Sequence, residues 1–287
     1  MKQFMSLCGS TPLIKISDRV YGKLETYNPT GSVKDRMISY VIKKALDRGD
    51  ITGETILCDA TSGNTGIALS SVAASLGLDC VIFMPENMSV ERKQMMSVYG
   101  AKIVDAPAND FSRAIAMRDE FLRSNPLSWS PCQFSNPDNV ECHLKVTGPE
   151  IYNDVKSTGL AWDTFIHGSG TGGTIEGIRR YTIESSPKTR LLMVQPAESP
   201  HGIQGIADGK EFLAKDADMD GIIKIKTAEA IERARAFAEE TGILVGISAG
   251  ANIVASERWE RHTPSDTGAI VTMLCDRGER YMSVFKS

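Results

Sequence analysis

The chain has 287 residues, a formal net charge of −4 at pH 7, 41% hydrophobic residues and 24% charged residues. This is the balance of a globular protein large enough for two lobes, and its mixed charges indicate neither a nucleic-acid-binding nor a membrane-surface protein. No apolar run approaches the roughly 20 residues that span a bilayer, and the first residues are too short and polar for a signal peptide, so we expect a cytoplasmic protein.

The first distinctive run is 28–36, which breaks the chain at Asn-Pro and Thr-Gly and then starts a helix. Apolar side chains recur at helical spacing from Met37 onwards, which predicts a helix with one buried face. Ser32 and Asp35 are predicted to form a capping box at its start. Lys34 then lies in the first turn, where the positive end of the helix dipole lowers the pKa of an ammonium and favours the neutral, carbonyl-attacking amine. Taken alone, the pattern also fits an ordinary surface lysine at the start of an amphipathic helix.

A glycine-rich turn, Thr-Ser-Gly-Asn-Thr-Gly at 61–66, follows a predicted buried strand at 55–60 and opens a predicted helix at 65–76. Hydroxyl groups and backbone N–H groups at a helix N-terminus can bind a carboxylate. The alternative is an ordinary strand-to-helix loop that uses glycine for its geometry. The density of polar side chains in the turn favours a functional loop.

A second turn, Gly-Ser-Gly-Thr-Gly-Gly-Thr at 168–174, follows a predicted strand at 163–167 and opens a predicted helix at 173–184. Backbone amides can wrap a phosphate there, and two threonine hydroxyls add donors. The letters also match the dinucleotide fingerprint G-x-G-x-x-G, and Glu198 lies about the right distance onward. A nicotinamide-dependent oxidoreductase is therefore an alternative at this point, whereas a P-loop is excluded because no Gly-Lys-Ser/Thr follows.

Predicted strands and helices alternate along almost the whole chain. Further strands are predicted at 80–84, 102–105, 190–195, 222–226 and 269–275, and further helices at 90–99, 111–123, 148–157, 228–240 and 249–260. Such alternation predicts an α/β protein with two lobes, each a mostly parallel twisted sheet flanked by helices, and ligands at the carboxyl ends of the strands. The turn-rich stretch 125–139 is the expected crossing between the lobes.

The cysteines and histidines carry no metal-binding signature. The six cysteines are scattered without a C-x-x-C pair, and the four histidines lack ligand spacing such as H-E-x-x-H. We therefore expect free thiols and no metal site.

Taken together, these runs resemble the cysteine synthase family of pyridoxal-phosphate (PLP) enzymes, in the β-family or fold type II. The pair Ser-Val-Lys-Asp-Arg and Thr-Ser-Gly-Asn-Thr-Gly is highly specific, and the likeness covers nearly the whole chain. Other matching runs are 9–13, 133–137, 147–151, 170–174 and 246–250, and two more, 84–89 and 275–281, are similar to the B isozymes of the family.

The resemblance implies a tryptophan synthase β-like fold in a homodimer. A smaller mobile domain would span 36–138, and a larger domain, which binds the PLP phosphate, would span 1–35 and 139–287.

By position, the resemblance also implies roles for individual residues. Lys34 would be the catalytic residue and hold PLP as the internal aldimine, Asn64 would bond the PLP ring hydroxyl, and Ser248 would face the pyridine nitrogen. The phosphate would be cradled by Gly170, Thr171, Gly172, Gly173 and Thr174. The carboxylate of the amino-acid substrate would be held by Thr61, Ser62, Gly63, Thr65 and Gln133.

The implied activity is β-replacement on small molecules. O-acetyl-L-serine would lose acetate after Lys34 removes the Cα proton, and a sulfur nucleophile would add to the aminoacrylate to give L-cysteine or an S-substituted cysteine. Related synthases that use O-phosphoserine, thiosulfate, cyanide or homocysteine are alternatives, as is a non-catalytic relative that binds a partner such as serine acetyltransferase. Ala207 and Asp208 stand where thiosulfate-using B isozymes carry arginines, which argues against thiosulfate. Cys275 fits a buried strand-end thiol and a substrate contact equally well.

Overall fold

Two sheets covered by helices form the framework of the protein in the computed structural model, which describes residues 2–206, 213–264 and 268–285. The strands are β1 (Leu13–Lys15), β2 (Val20–Leu24), β3 (Ile56–Ala60), β4 (Cys80–Pro85), β5 (Lys102–Ala106), β6 (Ser128–Trp129), β7 (Trp162–Gly168), β8 (Arg190–Pro196), β9 (Gly221–Ile225) and β10 (Ala269–Leu274). The helices are α1 (Lys2–Ser6), α2 (Lys34–Arg48), α3 (Asn64–Leu76), α4 (Val90–Val98), α5 (Phe111–Ser124), α6 (Pro137–Cys142), α7 (Gly148–Ser157), α8 (Gly173–Ser185), α9 (Thr227–Thr241), α10 (Ile247–His262) and α11 (Met282–Phe285).

The larger sheet has six strands in the order β1-β2-β10-β7-β8-β9. Only β1 and β2 pair antiparallel, and the other neighbours run parallel. Because β7 and β10 are parallel neighbours, their carboxyl ends meet at one edge of the sheet. The turn at 168–174 and Cys275 follow these two strands directly, so the topology brings them together.

The smaller sheet has four parallel strands in the order β5-β4-β3-β6, and β3 leads into the turn at 61–66. One face packs on a core that includes the apolar stripe of α2. The predicted stripe residues Met37, Ile38, Val41 and Ile42 are all at most 1% exposed, which confirms the predicted buried face. No helix in the described part of the chain is long and apolar enough to cross a membrane.

The strongly periodic elements are confirmed, and the predicted α/β class with mostly parallel sheets is correct. The short or irregular elements were not predicted from the sequence: β1, β2 and β6, the helix α6, and a π-helical turn at His143–Thr147 that joins α6 to α7. β2 lacks a strand pattern because it contains Gly22 and Lys23. Lys23 is nonetheless fully buried, since Glu150 and Asp154 pair with its ammonium.

Asp59, at the end of β3, gives a prediction about pH dependence. Burial raises the pKa of this carboxyl to about 6, even though the Arg118 guanidinium lies 2.9 Å away. The folded state therefore binds more protons than the unfolded state between about pH 4 and pH 6, so stability falls as the pH rises through that window. The free energy of unfolding of the isosteric variant Asp59→Asn should therefore fall less steeply with pH in this window, by up to about 1.4 kcal/mol per pH unit.

Urea unfolding of both proteins at several pH values between 4 and 7 measures that difference. The Oδ2 atom of Asp59 has no hydrogen-bond partner among the described residues, so the new amide nitrogen displaces no bond. Parallel stability curves for the two proteins would show that Asp59 does not titrate in this window.

Candidate active site

A cleft of about 760 Å³, including its open mouth, lies where the carboxyl ends of both sheets face each other. The turn after β3, the turn after β7 and the residue after β10 all line it. Of the predicted site residues, the cleft is lined by Lys34, Thr61, Ser62, Asn64, Thr65, Gln133, Gly170, Thr171, Gly172, Thr174 and Ser248. Gly63 and Gly173 belong to the same two turns but do not line it.

Lys34 is the first residue of α2 and is half-buried in the cleft wall. The preceding loop is fixed to the end of the larger sheet, because the N–H of Val33 donates to the carbonyl of Cys275 (2.9 Å) and the N–H of Arg277 donates to Gly31 (3.1 Å). Gly31 has a φ of 82°, a left-handed conformation that favours glycine. The lysine therefore starts from a backbone held in one position.

A buried ion network anchors the same turn from the other side. Arg36 donates to both carboxylate oxygens of Glu25 (2.6 and 2.8 Å) and to both of Glu150 (2.7 and 2.8 Å). Arg36 and Glu25 are almost completely buried, and such pairs are costly to break because the remaining partner becomes an uncompensated buried charge. The network therefore resists displacement of the helix start that carries Lys34.

The capping box does not form as predicted, because the Ser32 hydroxyl accepts the N–H of Lys34 at 3.3 Å and not that of Asp35. Val33 occupies the N-cap position of α2 and makes no side-chain capping bond. The Asp35 carboxylate instead accepts the N–H of Thr30 (2.7 Å) and the Thr30 hydroxyl, because the turn through Gly31 folds residue 30 back over the helix start. Burial raises the pKa of Asp35 to about 6. This carboxyl shapes the loop before Lys34 rather than capping the helix in the predicted way.

Two buried histidines, His143 and His167, lie close enough to Lys34 to feel its charge, and no sequence pattern predicted a role for either. Burial and the charge of Lys34 lower the pKa of His167 to about 3, and burial with nearby positive charges holds the pKa of His143 well below its usual value. The amide nitrogen of Asn252 faces Nδ1 of His167 at 3.3 Å. An amide nitrogen only donates, so Nδ1 accepts and the imidazole proton lies on Nε2. His167 thus lines the cleft as a neutral imidazole.

The turn at 168–174 forms a close-fitting cradle at the start of α8. A Cβ atom on Gly170 would lie 2.4 Å from the carbonyl oxygen of Gly205, and one on Gly173 would lie 2.1 Å from Oδ1 of Asn139. The hydroxyl of Ser169 is buried and has no hydrogen-bond partner among the described residues. An unsatisfied buried donor beside a helix N-terminus fits an anionic group such as the PLP phosphate.

The turn at 61–66 is ordered by its own side chains. The hydroxyl of Thr61 accepts the N–H of Gly63 at 3.0 Å, and the hydroxyl of Thr65 donates to Oε1 of Gln133 at 2.6 Å. Gln133 in turn donates to the carbonyl of Ala60 at 3.2 Å. The resemblance assigns the turn and Gln133 to one carboxylate site, and the structure places them in direct contact at the start of α3.

Arg92 also contacts this turn and was not predicted from the sequence. It is 2% exposed, donates to the carbonyl of Ser62 at 3.1 Å and lies 4.9 Å above the ring of Tyr281. A Cβ atom on Gly63 would lie 2.5 Å from Cδ of Arg92, so only glycine fits there without displacing the arginine. The sequence gives one signal, an arginine in the first turns of a helix, and that signal is common on protein surfaces.

Ser248 and Cys275 are neighbours in the wall of the cleft. Ser248 lies in the first turn of α10, and both residues line the cleft. Burial, together with the charge of Asp276, raises the pKa of the Cys275 thiol to about 12, so the thiol stays protonated at neutral pH. Cys275 is therefore both a buried strand-end thiol and part of the cleft wall.

Two residues named from the sequence lie elsewhere. Glu198, the acidic residue of the dinucleotide alternative, accepts the N–H of Thr227 at 2.6 Å at the start of α9 and does not line the cleft. Ala207 and Asp208, which bear on thiosulfate use, lie outside the described residues.

Comparison with known proteins gives matches along almost the whole chain. A family model described as "Pyridoxal-phosphate dependent enzyme" matches residues 5–276. The cysteine synthase B of Campylobacter jejuni is 38% identical over 293 residues, covering 96% of this chain and 95% of that protein. The cysteine synthase A of Escherichia coli is 39% identical over 301 residues, covering 96% and 92% respectively. The crystal structure of an O-acetylserine-dependent cystathionine β-synthase from Helicobacter pylori superposes with a TM-score of 0.91 at 34% identity, covering 99% of this chain and 97% of that one.

Proposed function

The chain belongs to the cysteine synthases within the family of pyridoxal-phosphate-dependent enzymes, and on that premise we propose that it makes L-cysteine from O-acetyl-L-serine and sulfide. The predicted PLP dependence and β-replacement chemistry are confirmed by these matches, so the nicotinamide alternative is abandoned. The main structural support for this proposal is that Lys34, Asn64 and residues of both glycine-rich turns line one cleft.

When bound, PLP supplies an aldehyde that condenses with amines and a ring that withdraws electrons from the substrate Cα. The Ser169–Thr174 cradle would hold its phosphate, and Lys34 would carry its aldehyde carbon. The Lys34 amine, when free, would accept the Cα proton of the substrate as a general base. The same amine returns the proton to Cα at the end of the cycle.

The turn at 61–66 and Gln133 would orient the substrate through its carboxylate. Backbone N–H groups at the start of α3 favour a negative charge, and the Thr65–Gln133 bond keeps the two sides of that site together. With Cα held within reach of the Lys34 amine, acetate would leave from Cβ and sulfide would add to the same carbon. Closure of this turn over the substrate would exclude the water that competes with sulfide.

We further propose the domain division, assembly and location that the resemblance implies. The strands of the smaller sheet lie between residues 56 and 129 and those of the larger sheet lie outside that range, which supports a smaller domain over 36–138. The protein would work as a homodimer in the cytoplasm, and sedimentation equilibrium of the holoenzyme tests the dimer directly.

The substrate assignment is tested by comparing turnover of O-acetylserine and O-phosphoserine with sulfide as the nucleophile. We expect cysteine formation from O-acetylserine at the higher kcat/KM. A preference for O-phosphoserine would replace the proposed leaving group while leaving β-replacement in place. Inertness toward both serine derivatives, in protein that has bound PLP, would refute the synthase assignment.

The change Ser248→Asp tests the proposed environment of the pyridine nitrogen. A hydroxyl leaves that nitrogen unprotonated, whereas a carboxylate keeps it charged and makes the ring a stronger electron sink. We expect an altered coenzyme absorption spectrum and a fall in turnover of about 10- to 100-fold. Ser248→Ala is the matched control, because it stays neutral and should retain most of the activity. If Ser248→Asp leaves both spectrum and rate unchanged, Ser248 does not face the nitrogen.

A further inference from the structure

Asn64 belongs to a buried polar cluster whose other members take no part in the proposed function. The cluster consists of Asn64, Asp276, Arg280 and Tyr281, and the last three are at most 2% exposed. The Asn64 amide nitrogen donates to Oδ2 of Asp276 at 2.7 Å, while its oxygen accepts from Nη1 of Arg280 at 2.8 Å. The Tyr281 hydroxyl donates to the same Oδ2 at 2.6 Å.

The bonds to Asp276 and Arg280 allow the Asn64 amide only one orientation. A flipped amide would point its carbonyl oxygen at the Asp276 carboxylate and its NH2 group at the Arg280 guanidinium. Both contacts would be repulsive, and each would replace a charge-assisted hydrogen bond inside the protein. The observed orientation is therefore set by two opposite charges, 3.9 Å apart, that bond the nitrogen and the oxygen of the amide, not by packing alone.

The fixed orientation leaves one donor for the cleft. An amide nitrogen carries two hydrogens, and among the described residues Asp276 is the only acceptor bonded to that of Asn64. Asn64 lines the cleft. Its second N–H is thus available to an oxygen acceptor bound there, whereas its carbonyl oxygen is already engaged by Arg280.

The same cluster ties Asn64 to the Lys34 loop and to the Ser248 turn. Arg280 also donates to the carbonyls of Gly31 (3.3 Å) and Thr30, in the loop that precedes Lys34. The carbonyl of Asp276 accepts the N–H of Gly246, and a Cβ atom on Gly246 would lie 2.0 Å from the Asp276 carboxylate. Asp276 and Arg280 therefore contact all three parts of the cleft that would surround the coenzyme ring.

We propose that Asp276 and Arg280 are positioning residues that hold the Asn64 amide with its free N–H toward the PLP ring oxygen, so that the site favours the deprotonated form of that oxygen. A hydrogen-bond donor stabilises an anionic oxygen, whereas an amide carbonyl would require it to stay protonated. The inference rests on the proposed function, because Asn64 has this role only if PLP occupies the cleft.

The test is the spectrum and affinity of PLP in the holoenzyme of Asp276→Asn. This near-isosteric change removes the charge that accepts from the Asn64 amide nitrogen, and the new side chain can either donate or accept. Only Arg280 then still disfavours the flipped orientation. We expect the band of the deprotonated, visible-absorbing coenzyme to lose intensity to the near-ultraviolet band, with its pH titration moved upward. We also expect the dissociation constant of PLP to rise about tenfold.

Tyr281→Phe is the matched control, because it removes the other hydrogen bond to the same carboxylate oxygen without touching Asn64. It should lower stability while leaving the PLP bands unchanged. Arg280→Lys is the second variant, and it should move the bands in the same direction by a smaller amount. It decides the question if Asp276→Asn fails to fold.

Unchanged bands in the folded variants, or equal changes in Asp276→Asn and Tyr281→Phe, would overturn the inference. A wild-type protein that binds no PLP would instead refute the proposed function on which it rests. The two failures are therefore distinguishable from the wild-type spectrum alone.

Discussion

Replacing Lys34 with alanine is expected to abolish covalent attachment of PLP and to lower turnover by about a thousandfold or more. Alanine cannot bond the coenzyme carbonyl, and the described residues that line the cleft include no second lysine that could replace it as the base. The phosphate cradle and the Asn64 cluster are untouched, so PLP should still bind, more weakly and without covalent attachment. Absorption spectra and steady-state rates with O-acetylserine and sulfide measure both effects.

Lys43→Ala is the matched control for this change. Lys43 lies on the same helix and its side chain is 65% exposed. Among the described residues, its ammonium pairs only with Asp47, four residues on. Surface pairs of this kind contribute less than about 1 kcal/mol, so this variant should keep its coenzyme and its rate. Substantial turnover by Lys34→Ala, with Lys43→Ala unaffected, would show that another group moves the Cα proton.

The second large effect is expected from Gly172→Ala in the phosphate cradle. Gly172 has a φ of 86°, and a Cβ atom there would lie 2.4 Å from the backbone nitrogen of Ala214. The segment at 213–214 cannot retreat freely, because the N–H of Leu213 donates to the carbonyl of Thr171 at 2.8 Å. Overpacking of this kind costs about 1–3 kcal/mol in addition to the backbone strain. We expect the dissociation constant of PLP to rise about a hundredfold.

Gly77→Ala separates the effect of steric overlap from the effect of backbone strain. Gly77 also has a positive φ, 69°, but a Cβ atom there would have nothing within 4 Å. This variant should show the strain alone, a loss of about 1 kcal/mol in the free energy of unfolding, with PLP affinity unchanged. Titration of both apoproteins with PLP decides between these outcomes. Equal PLP affinities for the two variants would mean that the cradle tolerates a side chain.

The elements that could be predicted from the sequence are those whose pattern is local. The apolar stripe of α2 and the strands that precede each glycine-rich turn are repeated within a few residues, so periodicity reveals them. β1 and β2 could not be predicted in this way. β2 is fixed by parallel pairing with β10, in which Val20 lies opposite Ile270, and no pattern near residue 20 carries that information.

The same distinction applies to the site. Lys34 and the two glycine-rich turns were found because they follow strands or open helices, and strand ends converge in parallel α/β folds. The neighbours that orient these groups are distant in the chain. Arg280 bonds Asn64 across 216 positions, and Arg92 bonds Ser62 across 30. The run 275–281 stands out only through its resemblance to B isozymes, which suggests a substrate contact for Cys275 but no role for Asp276 or Arg280.

The incorrect capping box has the same physical origin. Ser32 and Asp35 have the right spacing, but spacing does not reveal that Gly31 turns the backbone and offers Thr30 to the carboxylate instead. Local rules fail where a loop is shaped by contacts with the rest of the protein, and here those contacts are the bonds to Cys275 and Arg277. Such departures are expected where a backbone is held for function.

Borohydride reduction of the holoenzyme, followed by peptide mapping, tests the central claim most directly. If the Lys34 amine bonds the coenzyme, reduction should leave PLP permanently attached to the peptide that contains Lys34, and the Lys34→Ala protein should carry no label. Attachment to a different lysine, or a protein that takes up no PLP, would contradict the account.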